Sequence, residues 1–401
     1  MISEKVKKKQ KILFVLHLPP PVHGASMVGK YIRDSRLINS EFDCHYVNLT
    51  TAASLEDIGK GGVRKLWAFC RKLKEIYLAI RRTRPDLVYV TPNTAGGPFY
   101  KDFVIVEWCK WWSGKGTILH FHNKGVATRQ DRWLDNRLYR RFFRHTEVIL
   151  LGEPLYEDVK KYVAREHVHF CANGIEEATK RWGYETERSS YETLTLRNAG
   201  ATKREGGARI LWLTNIMLTK GLMEFLDALA LLKERDVEFF VDFVGGTTAE
   251  ISEEAFRQAL ADRGLEGCTH YAGKKYGEDK EAFFQRADIF VLPSYTEAFP
   301  LTILEAMEHG LPVVATNVGA VGTAVENGVN GILIGGEKPV ISLDFRPDAK
   351  ELADALQQLL TNKELRLRMG AAGRVKFERE FTLERFEQRF TEVLREGADA
   401  S

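Results

Sequence analysis

Two glutamates eight residues apart, Glu297 and Glu305, are the residues best placed for chemistry in this sequence. A buried strand is predicted just upstream, and the loop that follows it carries Glu297. The next helix is predicted to open at Pro300, where proline suits the first turn because no N–H donor is needed there. The amides of Leu301 and Thr302 would then be available to an anionic group, with Glu305 about one turn further along.

The spacing of the two glutamates is weak support when taken alone. An ordinary βαβ unit would leave Glu297 solvated and Glu305 on the helix surface. The surrounding pattern is more specific, because Gly310 and Pro312 end the helix directly before another buried strand, Val313–Ala315. The complete strand–loop–helix–strand unit favours a binding site at the carboxyl ends of the strands.

Three further motifs follow predicted strands. Lys220-Gly221 stands at a helix start, where a lysine alone is most simply a solvated residue. His120 and His122 end a strand, and their spacing places both rings on one face. A zinc site there lacks a third ligand, and we expect His120 to be a core residue. Gly24 lies in a proline-rich loop where a backbone could approach a ligand closely, although a stiff βα turn explains that loop equally well.

Short apolar runs alternate with helical patterns along the whole chain, which is typical of βαβ units and of doubly wound α/β sheets. The strands predicted in the first half are Lys11–His17, Cys44–Leu49, Asp86–Thr91, Thr117–Phe121 and Glu147–Leu151. The strands predicted in the second half are Arg209–Leu213, Phe239–Val244, Thr269–Tyr271, Ile289–Pro293 and Val313–Ala315. Residues 176–207 read as a long connecting segment, and the tail is helical.

Composition agrees with two soluble domains. The chain has 401 residues, of which 44% are hydrophobic and 28% charged, so it has ample core and is not a disordered chain. No apolar run reaches the ~20 residues of a membrane span, and we expect no signal peptide. Five scattered cysteines without a C-x-x-C motif favour a reducing, cytoplasmic location.

Charge is distributed unevenly between the two halves. Residues 1–170 contain 30 Lys and Arg against 17 Asp and Glu, whereas the remainder contains 28 against 38. The helix predicted over Val63–Arg82 has an apolar stripe, which we expect to face the sheet, and an opposite basic face. Because no nucleic-acid motif accompanies the basic charge, an anionic membrane surface is the better candidate partner, and a merely solvated basic face is the alternative.

The stretch from Pro293 to Ala315 resembles the signature of the family 4 (group 1) retaining glycosyltransferases of GT-B fold. That signature holds two glutamates in a Pro-Ser-x-x-Glu-x-Phe, Glu-Ala-Met, Gly-x-Pro-Val-Val-Ala frame, and nearly every position is present here. The resemblance extends to Lys220-Gly221 and to an interdomain turn at Asn173-Gly174. It covers residues 170–380 strongly, and residues 11–170 by architecture and a few loops.

The resemblance implies a fold of two Rossmann-like domains facing a central cleft. Residues 1–172 would bind the acceptor, residues 173–379 would bind the nucleotide-sugar, and a C-terminal helix over residues 380–398 would cross back onto the first domain. The donor would be a nucleotide-diphosphate sugar, the acceptor a glycan or a lipid-linked sugar, and neither a metal nor another cofactor would be needed.

The resemblance also assigns roles to single residues. Glu305 would accept hydrogen bonds from the ribose, Glu297 and His122 would contact the donor sugar, and Lys220 would neutralise the diphosphate. The implied catalytic residues are Glu297, His122 and Lys220. The implied donor-binding residues are Gly24, Asn215, Lys220, Phe299, Leu301, Thr302 and Glu305.

Two positions depart from the family pattern. Asn215 stands where the family usually has a second diphosphate-binding cation, and Lys274 or Lys275 could replace it. Thr323 stands where a glutamate is frequent, and Glu326 follows three positions later. These departures keep a non-catalytic nucleotide-sugar or membrane-binding partner of a glycan assembly complex open as an alternative, beside a GT-B sugar-nucleotide epimerase. The main prediction is a retaining glycosyltransferase of polysaccharide or glycolipid synthesis, cytoplasmic and peripheral to the inner membrane face.

Overall fold

The computed structural model describes residues 9–50, 63–178, 207–340 and 345–399. The chain divides into two compact units, which we call the N-terminal unit (Met1–Gly174 with Leu383–Ser401) and the C-terminal unit (Ile175–Thr382). The connecting segment predicted over residues 176–207 lies mostly outside the described residues, which resume at 207.

The N-terminal unit is built on a six-stranded parallel sheet with the order β2-β1-β3-β4-β5-β6. Its strands are β1 Lys11–Leu16, β2 Asp43–Asn48, β3 Leu87–Val90, β4 Gly116–His120, β5 Thr146–Leu150 and β6 Val168–Phe170. Its helices are α1 Gly24–Asp34, α2 Arg36–Glu41, α3 Val63–Thr83, α4 Gly96–Ser113, α5 Trp133–Phe142 and α6 Tyr156–Val159, together with the C-terminal helix Leu383–Asp399.

The C-terminal unit repeats this architecture with the strand order β12-β11-β10-β7-β8-β9. Its strands are β7 Ala208–Leu213, β8 Phe239–Val244, β9 Thr269–Gly273, β10 Ile289–Leu292, β11 Val313–Thr316 and β12 Gly331–Ile334. Its helices are α7 Leu222–Glu234, α8 Glu253–Ala261, α9 Gly277–Arg286, α10 Leu301–Glu308, α11 Val321–Ala324, α12 Ala349–Thr361 and α13 Lys363–Glu380. The C-terminal helix Leu383–Asp399 is numbered α14.

All strand pairs within both sheets are parallel. The central strands β3 and β10 are fully buried along their length, because helices cover both faces of such a sheet. This explains why the strands were recognisable as continuous apolar runs, and the predicted doubly wound α/β fold class is confirmed.

Two edge strands were not predicted. Strand β6 has only three residues and is half-buried, and β12 begins at Gly331, whose position leaves no room for a Cβ because one would lie 2.3 Å from the Val313 carbonyl oxygen. Short edge strands carry little hydrophobic periodicity, so their pairing partner rather than their own sequence identifies them.

The predicted orientation of the α3 apolar stripe is wrong over its first half. Ile76 and Ile80 are buried as expected, but Leu66 and Trp67 are 64% and 66% exposed. Helix α4 packs beside α3, with the Trp108 indole N–H donating to the Leu73 carbonyl at 3.0 Å, and only the second half of α3 reaches the buried layer. No helix in the described part of the chain is long and apolar enough to cross a membrane.

Helix α14 belongs to the N-terminal unit, although it follows the entire C-terminal unit in sequence. Phe386 and Phe390 are fully buried in that unit's core, and the Phe390 ring lies 5.4 Å from that of Tyr89 in β3. The Arg389 side chain donates to the Ala172 carbonyl at 3.1 Å. Removal of this helix would therefore expose the apolar core of the N-terminal unit.

Candidate functional site

The predicted diphosphate cation and the predicted sugar carboxylate lie in direct contact. Lys220 Nζ is 2.6 Å from Glu297 Oε1, with the two side chains 24% and 13% exposed. Lys220 ends a short 3₁₀ turn after β7, and Glu297 lies in the loop after β10. Because β7 and β10 are neighbours in the sheet, the loops at their carboxyl ends meet. Ser294 donates its hydroxyl proton to the same Glu297 oxygen at 2.8 Å.

Glycine at position 221 permits this close approach of the two loops. Gly221 has a φ of 75°, and a Cβ there would lie 1.9 Å from the Pro293 carbonyl oxygen. The Tyr295 amide donates to the Thr219 carbonyl at 3.0 Å, which fastens the two loops together. A side chain at 221 would separate the loops and displace Lys220 from Glu297.

The loop of Glu297 is also held from its other side. Gly319 lies against it so closely that a Cβ would be 2.0 Å from the Glu297 carbonyl oxygen, and the Ala320 amide donates to the Ala298 carbonyl at 2.8 Å. Glu297 is thus held by backbone contacts on both sides, and the solvated-loop alternative for this residue is wrong.

Glu305 lies on α10 and is only 9% exposed, so the helix-surface alternative is wrong for it as well. Its Oε1 is 2.6 Å from Nζ of Lys280 on α9. Lys280 was not identified in the sequence, because nothing in a lysine 25 residues away marks it as the partner of a glutamate on another helix. An ionised carboxylate is an acceptor at both of its oxygens, and at Glu305 one of them accepts from Lys280.

The start of α10 has the predicted geometry. The helix begins at Leu301 after Pro300, whose side chain makes no capping hydrogen bond. Leu301 and Thr302 are half-buried, so their N–H groups lie at a helix N-terminus of the type that binds anions. Phe299 is 5% exposed, and its ring lies 5.7 Å from Phe381. The Phe299 side chain therefore packs in the core, and the predicted contact with the nucleotide-sugar would have to come from its backbone.

Asn215 is exposed after β7, and a cation lies next to its loop. The Ile216 amide donates to the Gly246 carbonyl at 2.9 Å. The Lys274 side chain covers Gly246, where a Cβ would lie 2.1 Å from its Cε. Lys274 is exposed at the end of β9. Of the two lysines considered as replacements for the missing family cation, Lys274 has this packing to support it.

In the N-terminal unit, His120 and His122 have ring centroids 4.2 Å apart. His120 is fully buried and pairs with the Tyr89 hydroxyl at 2.6 Å, which confirms it as a core residue. Both ring nitrogens of His122 are inaccessible to solvent and make no hydrogen bond within the described residues. Burial, together with a smaller contribution from the nearby His17 and His23, lowers the pKa of His122 to about 3. His122 is therefore neutral at pH 7.

Hydrogen bonds join the loops that follow β3 and β4, the second of which carries His122. Asp102 on α4 accepts from the backbone and side-chain amides of Asn93 at 2.9 and 2.7 Å, and Asn93 accepts from the side chain of Asn123 at 2.9 Å. His17 directly follows β1, and burial lowers its pKa to about 4 against the opposing effect of Asp102. Neither Asp102 nor His17 was identified from the sequence, because neither lies in a recognisable motif.

Gly24 is the first residue of α1, and the space beside its Cα is open, with nothing within 4 Å of where a Cβ would lie. The turn before it is organised by a reciprocal cap in which His23 Nδ1 accepts from the Ser26 amide at 3.3 Å and Ser26 Oγ accepts from the His23 amide at 3.0 Å. The described residues contain no group of three or more His, Cys, Asp or Glu arranged to hold a metal ion.

Residues 198–376 match the family described as "Glycosyl transferases group 1". A D-inositol 3-phosphate glycosyltransferase of Paenarthrobacter aurescens is 30% identical over 169 residues, which is 42% of this chain and 39% of that protein. Its counterpart in Corynebacterium jeikeium is 34% identical over 38% of this chain and 35% of its own length. The chain thus matches well under half the length of these relatives.

Solved structures resemble nearly the whole chain. Sucrose-phosphate synthase of Thermosynechococcus elongatus superposes with a TM-score of 0.70 and 15% identity, covering 98% of this chain and all of its own. Anabaena HepE, solved in complex with UDP and glucose, gives a TM-score of 0.67 and 18% identity over 96% of this chain and all of its own. At these identities the likeness concerns the fold alone, and it confirms the predicted GT-B class. The predicted resemblance to group 1 glycosyltransferases is confirmed over residues 198–376.

Proposed function

We propose that this chain, whose residues 198–376 match the group 1 glycosyltransferases, is a retaining glycosyltransferase that moves a sugar from a nucleotide-diphosphate sugar to a glycan or lipid-linked acceptor. The observation that carries the proposal is the pairing of Lys220 with Glu297 at the carboxyl ends of adjacent strands, 2.6 Å apart, beside a helix that carries Glu305.

Lys220 is assigned to the leaving diphosphate. An ammonium group has three N–H donors, and the contact with Glu297 occupies one of them, so the pair orients the cation while leaving donors for phosphate oxygens. Negative charge grows on the diphosphate as the glycosidic bond breaks, and a pre-positioned cation stabilises that charge. The exposed Lys274 is proposed as the second cation, in place of the one absent at Asn215.

The two glutamates are assigned to opposite ends of the donor. Glu305 would accept from the ribose hydroxyls, which suits a carboxylate already held by Lys280. Glu297 would contact the donor sugar, where positive charge develops at the anomeric carbon. The open start of α10, at Leu301 and Thr302, would receive a phosphate.

The N-terminal unit is proposed to bind the acceptor. His122, neutral at pH 7, can donate from one ring nitrogen and accept at the other, which suits contact with a sugar hydroxyl. The open space beside Gly24 would admit ligand close to the backbone. Retention of anomeric configuration, a role in cell-surface polysaccharide or glycolipid synthesis, and a position at the inner membrane face are parts of this proposal.

The test begins with UDP, the nucleotide bound in the HepE structure. We expect UDP to bind the purified protein in calorimetry, and a UDP-sugar panel to yield nucleoside diphosphate and a glycosylated product when bacterial lipid extract is supplied. Interconversion of the nucleotide-sugar without transfer would instead identify an epimerase, and binding without turnover would identify a non-catalytic partner. The anomeric proton coupling of the product, compared with that of the donor, tests retention.

A further inference from the structure

The outer surface of α3, α4 and α5 in the N-terminal unit exposes an unusual set of aromatic side chains. Trp67 on α3, Trp111 on α4 and Trp133 on α5 are 66%, 77% and 75% exposed. Large exposed apolar surface of this kind marks an interaction site in a folded protein. Tryptophan also has an amphipathic ring, and it is enriched where proteins meet the membrane–water interface.

The three helices form one layer with α4 in the middle. On one side, Trp112 of α4 packs on Tyr77 of α3, with ring centroids 4.5 Å apart. On the other side, Tyr100 of α4 donates its hydroxyl proton to Asp135 of α5 at 2.6 Å, and Arg141 of α5 pairs with Glu107 of α4. The exposed residues between these contacts therefore lie on the outer face of the layer.

The outer face of α4 is apolar. Val104 and Trp111 are 40% and 77% exposed, and they lie seven residues apart, which places them on one side of a helix. The two lysines of α4 are turned away from this stripe, because Lys101 pairs with Asp102 and Lys110 donates to carbonyls at the end of α5. The centre of the layer therefore presents Val104 and Trp111 to solvent, and the one acidic side chain between them, Glu107, is paired with Arg141 and Lys110.

The helices on either side are basic. Residues 66–83, 96–113 and 133–142 contain ten Lys and Arg against four Asp and Glu. All four of those acidic side chains have cationic partners within this unit, and Asp102 and Asp135 are buried. The exposed basic residues of the flanking helices are Arg71, Lys74, Arg81, Arg82, Arg137, Arg140 and Arg141.

Arginine and tryptophan are also paired on this face. The Arg71 guanidinium lies 5.9 Å from the Trp67 ring centre, and that of Arg137 lies 6.0 Å from the Trp133 ring centre. Such pairs keep the cation next to the ring that is exposed. A ligand that covers this face must therefore accept aromatic rings and supply negative charge at the same depth.

We infer that the layer of α3, α4 and α5 is a docking face for an anionic lipid bilayer, with Trp67, Trp111 and Trp133 in the headgroup region and the flanking arginines on lipid phosphates. A second copy of this chain would bring its own excess of basic residues against the same face, and charge complementarity therefore favours the bilayer. The inference deepens the proposed function, on which it rests for its purpose: a membrane-docked enzyme meets a lipid-linked acceptor without leaving the surface.

Two kinds of attraction hold this face to a bilayer, and salt separates them. Arginine–phosphate attraction is screened beyond ~10 Å at 0.1 M salt, whereas burial of tryptophan is not. The wild-type protein should float with vesicles of 70% phosphatidylcholine and 30% phosphatidylglycerol at low salt. A residual bound fraction should persist at 0.5 M salt, and binding to pure phosphatidylcholine should be much weaker.

Matched variants test the face itself. Replacing Arg71, Arg137 and Arg140 by glutamine should lower the partition coefficient about 100-fold at low salt, at about 1 kcal/mol for each basic residue. Replacing Trp67, Trp111 and Trp133 by serine should lower it about tenfold for each residue and abolish the salt-resistant fraction. Two control variants change exposed residues of the C-terminal unit, arginine to glutamine in one and an apolar residue to serine in the other. They are Arg257→Gln with Arg379→Gln, and Val329→Ser with Val375→Ser. Both should bind vesicles as the wild type does.

The outcomes separate this inference from the proposed function. Absence of flotation at low salt, or face variants that bind like the wild type, would overturn the docking face even if UDP binds normally. A dimer in light scattering that the tryptophan variant dissociates would assign the face to a second copy and would also overturn it. Flotation that the face variants abolish while UDP affinity is unchanged supports the docking face. If neither the wild type nor any variant binds a nucleotide, but the face variants still abolish flotation, the proposed function fails and the docking face stands.

Discussion

Glu305→Gln should weaken nucleotide binding without slowing the chemical step. The ribose lies far from the reacting carbon, so its contact with Glu305 is the same in ground and transition states. A hydrogen bond to a charged group contributes about 1.5–3 kcal/mol. The glutamine amide keeps one acceptor oxygen, but it has an NH₂ donor in place of the second carboxylate oxygen. The UDP dissociation constant should therefore rise about 10- to 150-fold, with the donor KM, while kcat stays within about twofold.

The structure supplies a control for this variant. Glu308 lies three residues further along α10, is 6% exposed, and accepts from the Ala178 amide. Glu308→Gln should cost stability in the same helix and leave UDP affinity unchanged. Glu305→Gln should also lower the free energy of unfolding, by about 1 kcal/mol, because a charge-assisted contact with Lys280 at 2.6 Å becomes a neutral one.

Calorimetry with 2′-deoxy-UDP decides whether the ribose is the group concerned. In the wild type, the deoxy ligand should bind more weakly than UDP. In Glu305→Gln, the two ligands should bind alike, because the carboxylate that distinguished them is gone. If UDP and its deoxy form differ equally in both proteins, the coupling is zero and Glu305 does not contact the ribose. Normal UDP affinity in a folded Glu305→Gln variant would refute the assignment outright.

Four further perturbations test other parts of the site. Glu297→Gln should lower kcat while nearly keeping UDP affinity, since it loses only charge that stabilises the developing cation, and equal loss in the exposed control Glu326→Gln would contradict this. Lys220→Ala should lower kcat by about 10²–10³, the typical effect of removing one transition-state charge contact, with the exposed Lys350→Ala as control; an active, folded Lys220→Ala enzyme would remove the cation assignment. Gly221→Ala should destabilise the C-terminal unit in urea unfolding by more than 1 kcal/mol and reduce turnover, because the new Cβ would lie 1.9 Å from a carbonyl oxygen. The control Gly267→Ala should leave the free energy of unfolding unchanged, because nothing lies within 4 Å of where its Cβ would be. Acid should lower the stability of the N-terminal unit, because the pKa of His122 is about 3 in the folded protein against 6.5 for a free histidine. Below pH 6.5 the unfolded chain therefore binds more protons than the folded one. For this residue, the free energy of unfolding should fall by about 1.4 kcal/mol for each unit by which the pH is lowered. His122→Gln should show a shallower decline between pH 6.5 and 4.5, and an unchanged slope would mean that His122 is protonated in the folded protein.

Features whose causes are local could be predicted from the sequence. Parallel strands buried on both faces must be continuous apolar runs, so ten of the twelve strands in the described part of the chain could be predicted. The unit around Glu297 and Glu305 could be placed because Pro300 and Gly310 mark the ends of its helix through backbone constraints that act within a few residues.

Features that depend on contacts between distant segments could be seen only in the folded chain. Lys220 and Glu297 are 77 residues apart in sequence, and only the adjacency of β7 and β10 in the sheet brings them together. Lys280 reaches Glu305 from another helix, and no periodicity records that contact. Trp67 is a second case that could not be predicted from the sequence. An amphipathic helix has a recognisable apolar stripe, but which part of the stripe is buried depends on the neighbour that packs against it. In α3, the neighbour covers the second half of the helix and leaves Trp67 in solvent.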